Sequence, residues 1–145
     1  MAMLAPSQRP LVSFHGYVAP DAMAAHLKQA TLLCAPSVGA ESQGIVLLEA
    51  FAAGTPVVVF DIAGYREVVR HEYNAVVAPR VDATALAQSL QRLVGDPQLR
   101  DRLSDGARAT AQQFTWDGVI DRVEGCLRHV VNNASGKNTT YQVSA

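Results

Sequence analysis

The chain has 145 residues, enough for one domain with a hydrophobic core. Its formal net charge of −1 provides no basic field that would attract nucleic acid, so we expect no nucleic-acid partner. Two cysteines, Cys34 and Cys126, do not make a disulfide framework. The sequence shows no signal peptide, and no apolar run reaches the ~20 residues of a membrane helix, so we expect a cytoplasmic protein.

Four short apolar runs predict the strands of a sheet. They lie at 11–14, 31–35, 57–60 and 75–78. The run at 31–35 has no alternation of polar and apolar residues, which is typical of a strand buried on both faces of a parallel sheet. The run at 57–60 is three valines and a phenylalanine, which favours the same structure.

The segments between and after these strands have helical spacing. Between the strands we predict helices at 21–29, 43–53 and 65–71, and after the last strand at 82–94, 96–113 and 116–131. In the last helix Trp116 is predicted to be a packing anchor. The residues expected to face inward from that helix are Val119, Ile120, Val123 and Leu127.

Strands that alternate with helices are connected by right-handed crossovers and give a parallel sheet. The predicted fold class is therefore α/β, a Rossmann-like parallel sheet with flanking helices and a helical C-terminal part. We predict an N-terminal lead at residues 1–10, one domain at 11–131 and a disordered tail at 132–145, which is rich in Asn, Ser, Thr and Gly.

Two carboxylates around the start of the helix at 43–53 are the strongest functional signal. Glu41 and Glu49 stand in the run Glu-Ser-Gln-Gly-Ile-Val-Leu-Leu-Glu, where an acid needs water, a partner or a ligand. The amides of Gly44, Ile45 and Val46 would be unpaired at the helix start and would suit a diphosphate without a metal ion. Glu49 lies one helical turn beyond Ile45 and suits a vicinal diol.

The position of this run in the fold agrees with a ligand site. The loop at 37–42 follows one predicted strand, and the turn at 61–65 follows the next. In open α/β sheets ligands bind beyond the carboxyl ends of the strands. A dehydrogenase is disfavoured because no GxGxxG motif is present.

The stretch from Pro36 to Val58 resembles the signature of retaining glycosyltransferases of the GT-B fold, specifically the group-1, family-4 type that includes bacterial mannosyltransferases and sucrose synthases. The similarity extends to Phe14-His-Gly16-Tyr-Val18, to Gly64-Tyr-Arg-Glu67 and to Phe114-Thr-Trp116. It covers residues 11–131, which is most of the chain. Nucleotide-sugar epimerases share the architecture, but the glutamate pair favours sugar transfer.

The resemblance implies a role for each of these residues. Glu41 would contact the donor sugar near the reacting carbon, Glu49 would bind the ribose hydroxyls, and Tyr17 and Val18 would lie beside the base. The main chain that would hold the sugar and the diphosphate is that of Gln43, Gly44, Ile45 and Val46. The implied donor is a GDP- or UDP-linked sugar, transferred with retention and with no cofactor or essential metal ion.

Two departures from the family pattern bear on this expectation. Gln43 stands where the family usually has an aromatic residue, so only a main-chain contact would survive there. The family's N-terminal acceptor domain, and the basic strand-helix unit that opens its donor domain, are not in this sequence.

The partners implied are a nucleotide sugar and the missing acceptor domain or a complementary half, at the inner face of the membrane in the full enzyme. The alternative is a catalytically incomplete nucleotide-sugar-binding module that associates with itself through exposed apolar surface.

Overall fold

The computed structural model describes residue 5 and residues 7–134. Within them a three-stranded parallel sheet has the order β1-β2-β3, with five α-helices around it. The strands are β1 (Leu33–Ala35), β2 (Val57–Phe60) and β3 (Val76–Ala78). The helices are α1 (Pro20–Gln29), α2 (Ile45–Ala53), α3 (Ala83–Gly95), α4 (Pro97–Ala111) and α5 (Trp116–Ala134). The predicted α/β fold with a helical C-terminal part is confirmed.

The central strand β2 explains why helices cover both faces of the sheet. Val58 pairs in register with Cys34 on one side and Val76 on the other, and every residue of β2 is buried. Val57 and Val59 belong to one apolar cluster with Phe51 of α2, whereas Val58 packs in a second cluster with leucines of α3 and α4. Successive strand residues point to opposite faces, so β2 requires a helical layer on each side.

The two edges of the sheet differ. Within the described residues β1 pairs with β2 alone, and Leu33 and Cys34 are half-buried. The outer side of β3 is covered by the residues just before it: the Val77 amide donates a 3.0 Å hydrogen bond to Nδ1 of His71. The open edge is therefore that of β1.

The ends of the helices follow their local sequences. Asp82 caps α3 by accepting a 2.7 Å hydrogen bond from the Ala85 amide. Asp96 caps α4 in the same way, by accepting a 2.9 Å hydrogen bond from the Leu99 amide. Pro97 occupies the first position of α4, where its missing N–H costs nothing. None of the helices in the described residues is long and apolar enough to cross a membrane.

The strand predicted at 11–14 is not formed. A 3-10 turn spans Arg9–Leu11, and Val12 is extended without a strand partner. Leu11 and Phe14 are 83% and 69% exposed. An extended run becomes a strand only when a neighbouring strand accepts its hydrogen bonds. No such neighbour lies beside this run in the described part of the chain.

The helix predicted at 65–71 is also wrong. The segment forms a 3-10 turn at Ala63–Tyr65 followed by further turns. The side chain of Asn74 takes the main-chain groups that a helix would use, since it donates to the Val68 carbonyl and accepts from the Arg70 amide, both at 2.8 Å. Such local side-chain hydrogen bonds compete with helix formation.

The last helix is correct in position but its apolar face is not buried. Val119 is half-buried, whereas Ile120, Val123 and Leu127 are 49%, 52% and 61% exposed, and Trp116 is 80% exposed. The inward face and the packing anchor predicted there are therefore wrong. The helix continues to Ala134, past the predicted boundary at 131. The rest of the predicted tail, residues 135–145, lies outside the described residues, as do residues 1–4 and 6.

Candidate nucleotide-sugar site

Two loops meet at the carboxyl edge of the sheet. One follows β1 and contains Glu41; the other follows β2 and contains Gly64. A Cβ atom at Gly64 would lie 2.0 Å from the carbonyl oxygen of Glu41, so the two main chains are in direct contact. Only glycine allows that approach, and it fixes Glu41 against the turn after β2.

The start of α2 depends on a second glycine. Gly44 is buried and has φ +69° and ψ 56°, the left-handed conformation. A Cβ there would lie 2.7 and 2.8 Å from ring atoms of Tyr65. The helix therefore begins at Ile45, two residues later than predicted. The backbone angle and the Tyr65 ring each require glycine at this position.

The first turn of α2 has no side-chain cap. Leu47 donates a 2.8 Å hydrogen bond to the Gly44 carbonyl, but no side chain accepts from the helix start and the first turn contains no acid. The amides of Ile45 and Val46 face the carboxyl edge of the sheet, where the helix dipole is positive. The Ile45 side chain is 67% exposed and borders this opening. The arrangement can receive an anion.

Glu41 is exposed beside this opening. The Ser37 hydroxyl donates a long, 3.4 Å hydrogen bond to its Oε1, and the residue before it, Ala40, has a left-handed φ of +62°. A non-glycine residue in that conformation costs about 1–2 kcal/mol. The surrounding contacts must hold this strained turn, which presents Glu41 at the sheet edge.

Glu49 lies between two adjoining cavities. The first, of 360 Å³, separates α1 from α2 and is bordered by Lys28 and Pro20. The second, of 490 Å³, separates α2 from α5 and is bordered by Gln43 and Ile45. The structure therefore brings Glu49 together with the predicted main-chain contacts at the start of α2. Glu41 borders neither cavity.

The segment predicted beside the base lies at the entrance of α1. Tyr17 is 91% exposed and Val18 is half-buried. Ala19 separates them from Pro20, the first residue of α1, which borders the 360 Å³ cavity together with Glu49. The segment predicted to lie beside the base therefore leads into the helix that borders the same cavity as Glu49.

Two features at this edge were missed by sequence reasoning. Tyr65, only 2% exposed, supports Gly44, although the sequence placed it in a short helix. Arg66 donates to both carboxylate oxygens of Asp61, at 2.8 and 3.1 Å. This hydrogen-bonded pairing lowers the pKa of the Asp61 carboxyl from its ordinary value. The sequence signal for this ion pair was an acid and a base five residues apart, on either side of the turn after β2.

Comparison with solved structures defines the class of protein. The fold is similar to that of the sucrose-phosphate synthase of Thermosynechococcus elongatus, with a TM-score of 0.77 and 29% identity over 84% of this chain and 31% of that one. The parallel sheet and its helices therefore form a GT-B, Rossmann-like domain. Residues 7–110 match the family described as glycosyl transferases group 1, and the chain belongs to that family.

Two relatives show how much of such a protein is present. The chain is 35% identical over 124 residues to the phosphatidyl-myo-inositol mannosyltransferase of Mycobacterium leprae, covering 86% of this chain and 33% of that protein. It is 46% identical over 77 residues to the D-inositol 3-phosphate glycosyltransferase of Jonesia denitrificans, covering 53% of this chain and 18% of that protein. The chain thus spans about a third or less of the length of these relatives.

Proposed function

We propose that this chain is the donor-binding part of a retaining hexosyltransferase that uses a GDP- or UDP-linked sugar. The observation that carries the proposal is the uncapped start of α2 at the carboxyl edge of the sheet, between Glu41 and Glu49. Helix N-termini bind phosphate groups through free amides and the positive end of the helix dipole. Family membership supports a glycosyl donor as the source of those phosphates.

Each site residue has a role in this proposal. The amides of Ile45 and Val46 hold the diphosphate, and the main chain of Gln43 and Gly44 holds the sugar. The Glu49 carboxylate accepts hydrogen bonds from the ribose hydroxyls in the cavities that it borders. Tyr17 and Val18 lie along the base. No metal ion is required in this scheme, because the helix start supplies the positive potential.

Glu41 acts on the reacting carbon. Transfer with retention by front-face attack passes through an oxocarbenium-like state, in which positive charge develops at the anomeric carbon. A carboxylate fixed beside that carbon stabilises the charge without reorganising. The contact between Gly64 and the Glu41 main chain, and the strained turn at Ala40, provide the fixed position.

The acceptor must be held by another part of the enzyme. The relatives are about two and a half to three times as long as this chain, and their names describe the transfer of sugars to inositol-containing acceptors. We propose that an acceptor domain or a complementary half provides the second substrate. Without it the chain binds the donor but turns over slowly, because catalysis depends on orienting both substrates. The second candidate function is therefore a donor-binding module with no turnover of its own.

Glu49→Gln is expected to raise the dissociation constant for GDP or UDP about tenfold, since one charge-assisted hydrogen bond is worth about 1.5–3 kcal/mol. Calorimetric titration of both nucleotides measures the effect. Asp101→Asn, an equivalent amide substitution at an exposed position of α4, is the matched control and should leave the affinity unchanged. Unchanged affinity in the Glu49 variant would remove its ribose role. No nucleotide binding by the unaltered chain would reject the proposed function.

Glu41→Gln is expected to lower turnover by about 10²-fold, with a change of less than about threefold in nucleotide affinity, because its contribution is made in the transition state. The measurement is release of nucleotide diphosphate from the sugar donor, with the complementary half added. Calorimetry on the same variant gives the affinity. An equal loss of both quantities would show that Glu41 is only a binding residue.

A further inference from the structure

Tyr65 is the one buried residue in the described part of the chain whose side-chain polar group has no protein partner. The residue is only 2% exposed, yet its hydroxyl takes part in no hydrogen bond within residue 5 and residues 7–134. A buried tyrosine hydroxyl usually has a partner. The other buried polar side chains of these residues each donate to a main-chain carbonyl, and they are Thr55, Asn74, Ser89, Ser104 and Thr110.

The hydroxyl of Tyr65 is open to solvent although its ring is not. Among the described residues outside the exposed class, no side-chain oxygen or nitrogen that is sealed from solvent lacks a hydrogen-bond partner. The unpartnered hydroxyl must therefore reach the surface, while the ring belongs to the buried apolar cluster. A polar group in this position is available to water or to a ligand.

The ring places this hydroxyl beside the start of α2. Its Cε1 and Cδ1 atoms would lie 2.7 and 2.8 Å from a Cβ at Gly44, the residue that precedes the helix. The hydroxyl is attached to the ring carbon next to Cε1, so it lies close to Gly44 as well. Tyr65 also directly follows Gly64, whose main chain contacts that of Glu41. The hydroxyl therefore opens at the carboxyl edge of the sheet, beside the free amides of the first turn of α2.

The core fixes this hydroxyl before any ligand arrives. Tyr65 shares its apolar cluster with Ile62 and Val68, which are 8% and 2% exposed. Its amide donates to the Ile62 carbonyl at 3.0 Å, and its carbonyl accepts from the Val68 and Val69 amides at 3.1 and 2.8 Å. A side chain that is already immobile loses little entropy when it binds. The site therefore offers a donor that is held in place by packing, as precise binding requires.

We propose that Tyr65 is a further donor-binding residue, whose hydroxyl donates a hydrogen bond to a phosphate oxygen of the nucleotide sugar. The inference rests on the proposed function and adds a side-chain contact to the main-chain contacts of α2. A phosphate fits this position better than a neutral sugar hydroxyl, because the neighbouring amides and the helix dipole attract negative charge. A hydrogen bond to a charged oxygen is also stronger than one between neutral groups.

Tyr65→Phe tests the contact, because it removes the hydroxyl and keeps the ring against Gly44. We expect the dissociation constant for GDP or UDP to rise about tenfold. The free energy of unfolding should not fall, because the hydroxyl makes no hydrogen bond within the described part of the chain. Calorimetric titration and urea denaturation measure the two quantities. Tyr73→Phe, the same change at a 45% exposed residue that contacts Gly106 of α4, is the matched control and should leave both unchanged.

The possible results separate this inference from the proposed function. If the unaltered chain binds nucleotide and Tyr65→Phe binds it equally well, the hydroxyl contacts only water and the inference is overturned. A fall in stability that accompanies the fall in affinity would assign Tyr65 a structural role instead. Titration with GDP-mannose and UDP-glucose locates the contact, since a loss seen with these donors but not with GDP or UDP would place the hydroxyl on the sugar and overturn the phosphate contact. No nucleotide binding by the unaltered chain would reject the proposed function and this inference with it.

Discussion

Gly64→Ala is expected to weaken nucleotide binding by more than about tenfold and to lower the free energy of unfolding by about 2–3 kcal/mol. The added Cβ would lie 2.0 Å from the Glu41 carbonyl oxygen, a main-chain atom that cannot turn aside as a flexible side chain would. The loop after β1 must therefore move away from the turn after β2. This displaces Glu41 and the start of α2 together, and a small displacement of a positioned group is costly for binding and catalysis.

Gly106→Ala is the matched control for this prediction. Its Cβ would also lie 2.0 Å from a carbonyl oxygen, that of Tyr73, but on α4 and away from the donor site. We expect a similar loss of stability, a fall of about 10 °C in melting temperature, with nucleotide affinity retained below that temperature. Thermal denaturation and calorimetric titration measure the two effects separately. Equal loss of nucleotide affinity in both variants would show that instability, rather than loop position, governs binding.

Asn74→Leu is expected to be among the most destabilising substitutions in the core, with a loss of about 3–4 kcal/mol. Asn74 is fully buried and joins three parts of the chain. Its amide donates to the Val68 carbonyl at 2.8 Å and to Thr110 Oγ1 at 3.0 Å, and its oxygen accepts from the Arg70 amide at 2.8 Å. Leucine removes all three of these hydrogen bonds in a buried or partly buried setting.

Thr110→Val separates the contribution of the hydroxyl. It removes the hydroxyl that accepts from Asn74 and donates to the Gly106 carbonyl at 2.8 Å, while keeping the shape of the side chain, so we expect a loss of about 1–2 kcal/mol. Because Asn74 and Thr110 share one network, the double variant should lose less than the sum of the single losses. Urea denaturation of the unaltered chain, the two single variants and the double variant gives the coupling free energy between the two side chains. Strict additivity, or a loss below about 1 kcal/mol for Asn74→Leu, would contradict this account of the buried amide.

The sequence predicted those parts of the fold that depend on local pattern. The valine run of β2 and the Asp-Pro start of α4 carry their own signals, and both were placed correctly. The run at 11–14 has three apolar residues in four, but a strand also needs a neighbour, and no local pattern reveals whether one exists. The helix predicted at 65–71 was wrong for a related reason. The buried side chain of Asn74, which follows this segment, forms hydrogen bonds with the main-chain groups that a helix would use.

The candidate site could be predicted as a location but not as an arrangement. From the sequence we could predict that Glu41, Glu49 and the start of α2 lie at one edge of the sheet. It did not show that Tyr65 packs against Gly44, because that contact joins two loops and depends on a left-handed backbone. Nor did it show that α5 leaves its apolar face exposed, since helical spacing identifies a face and not what covers it.

The open edge of β1 affects how the chain behaves in concentrated solution. Unpaired strand edges recruit strands from other molecules, and aggregation often begins there. This edge is only three residues long, and Pro36 follows it directly, so it presents few main-chain groups and cannot be extended. A chain built in this way resists uncontrolled growth through its sheet.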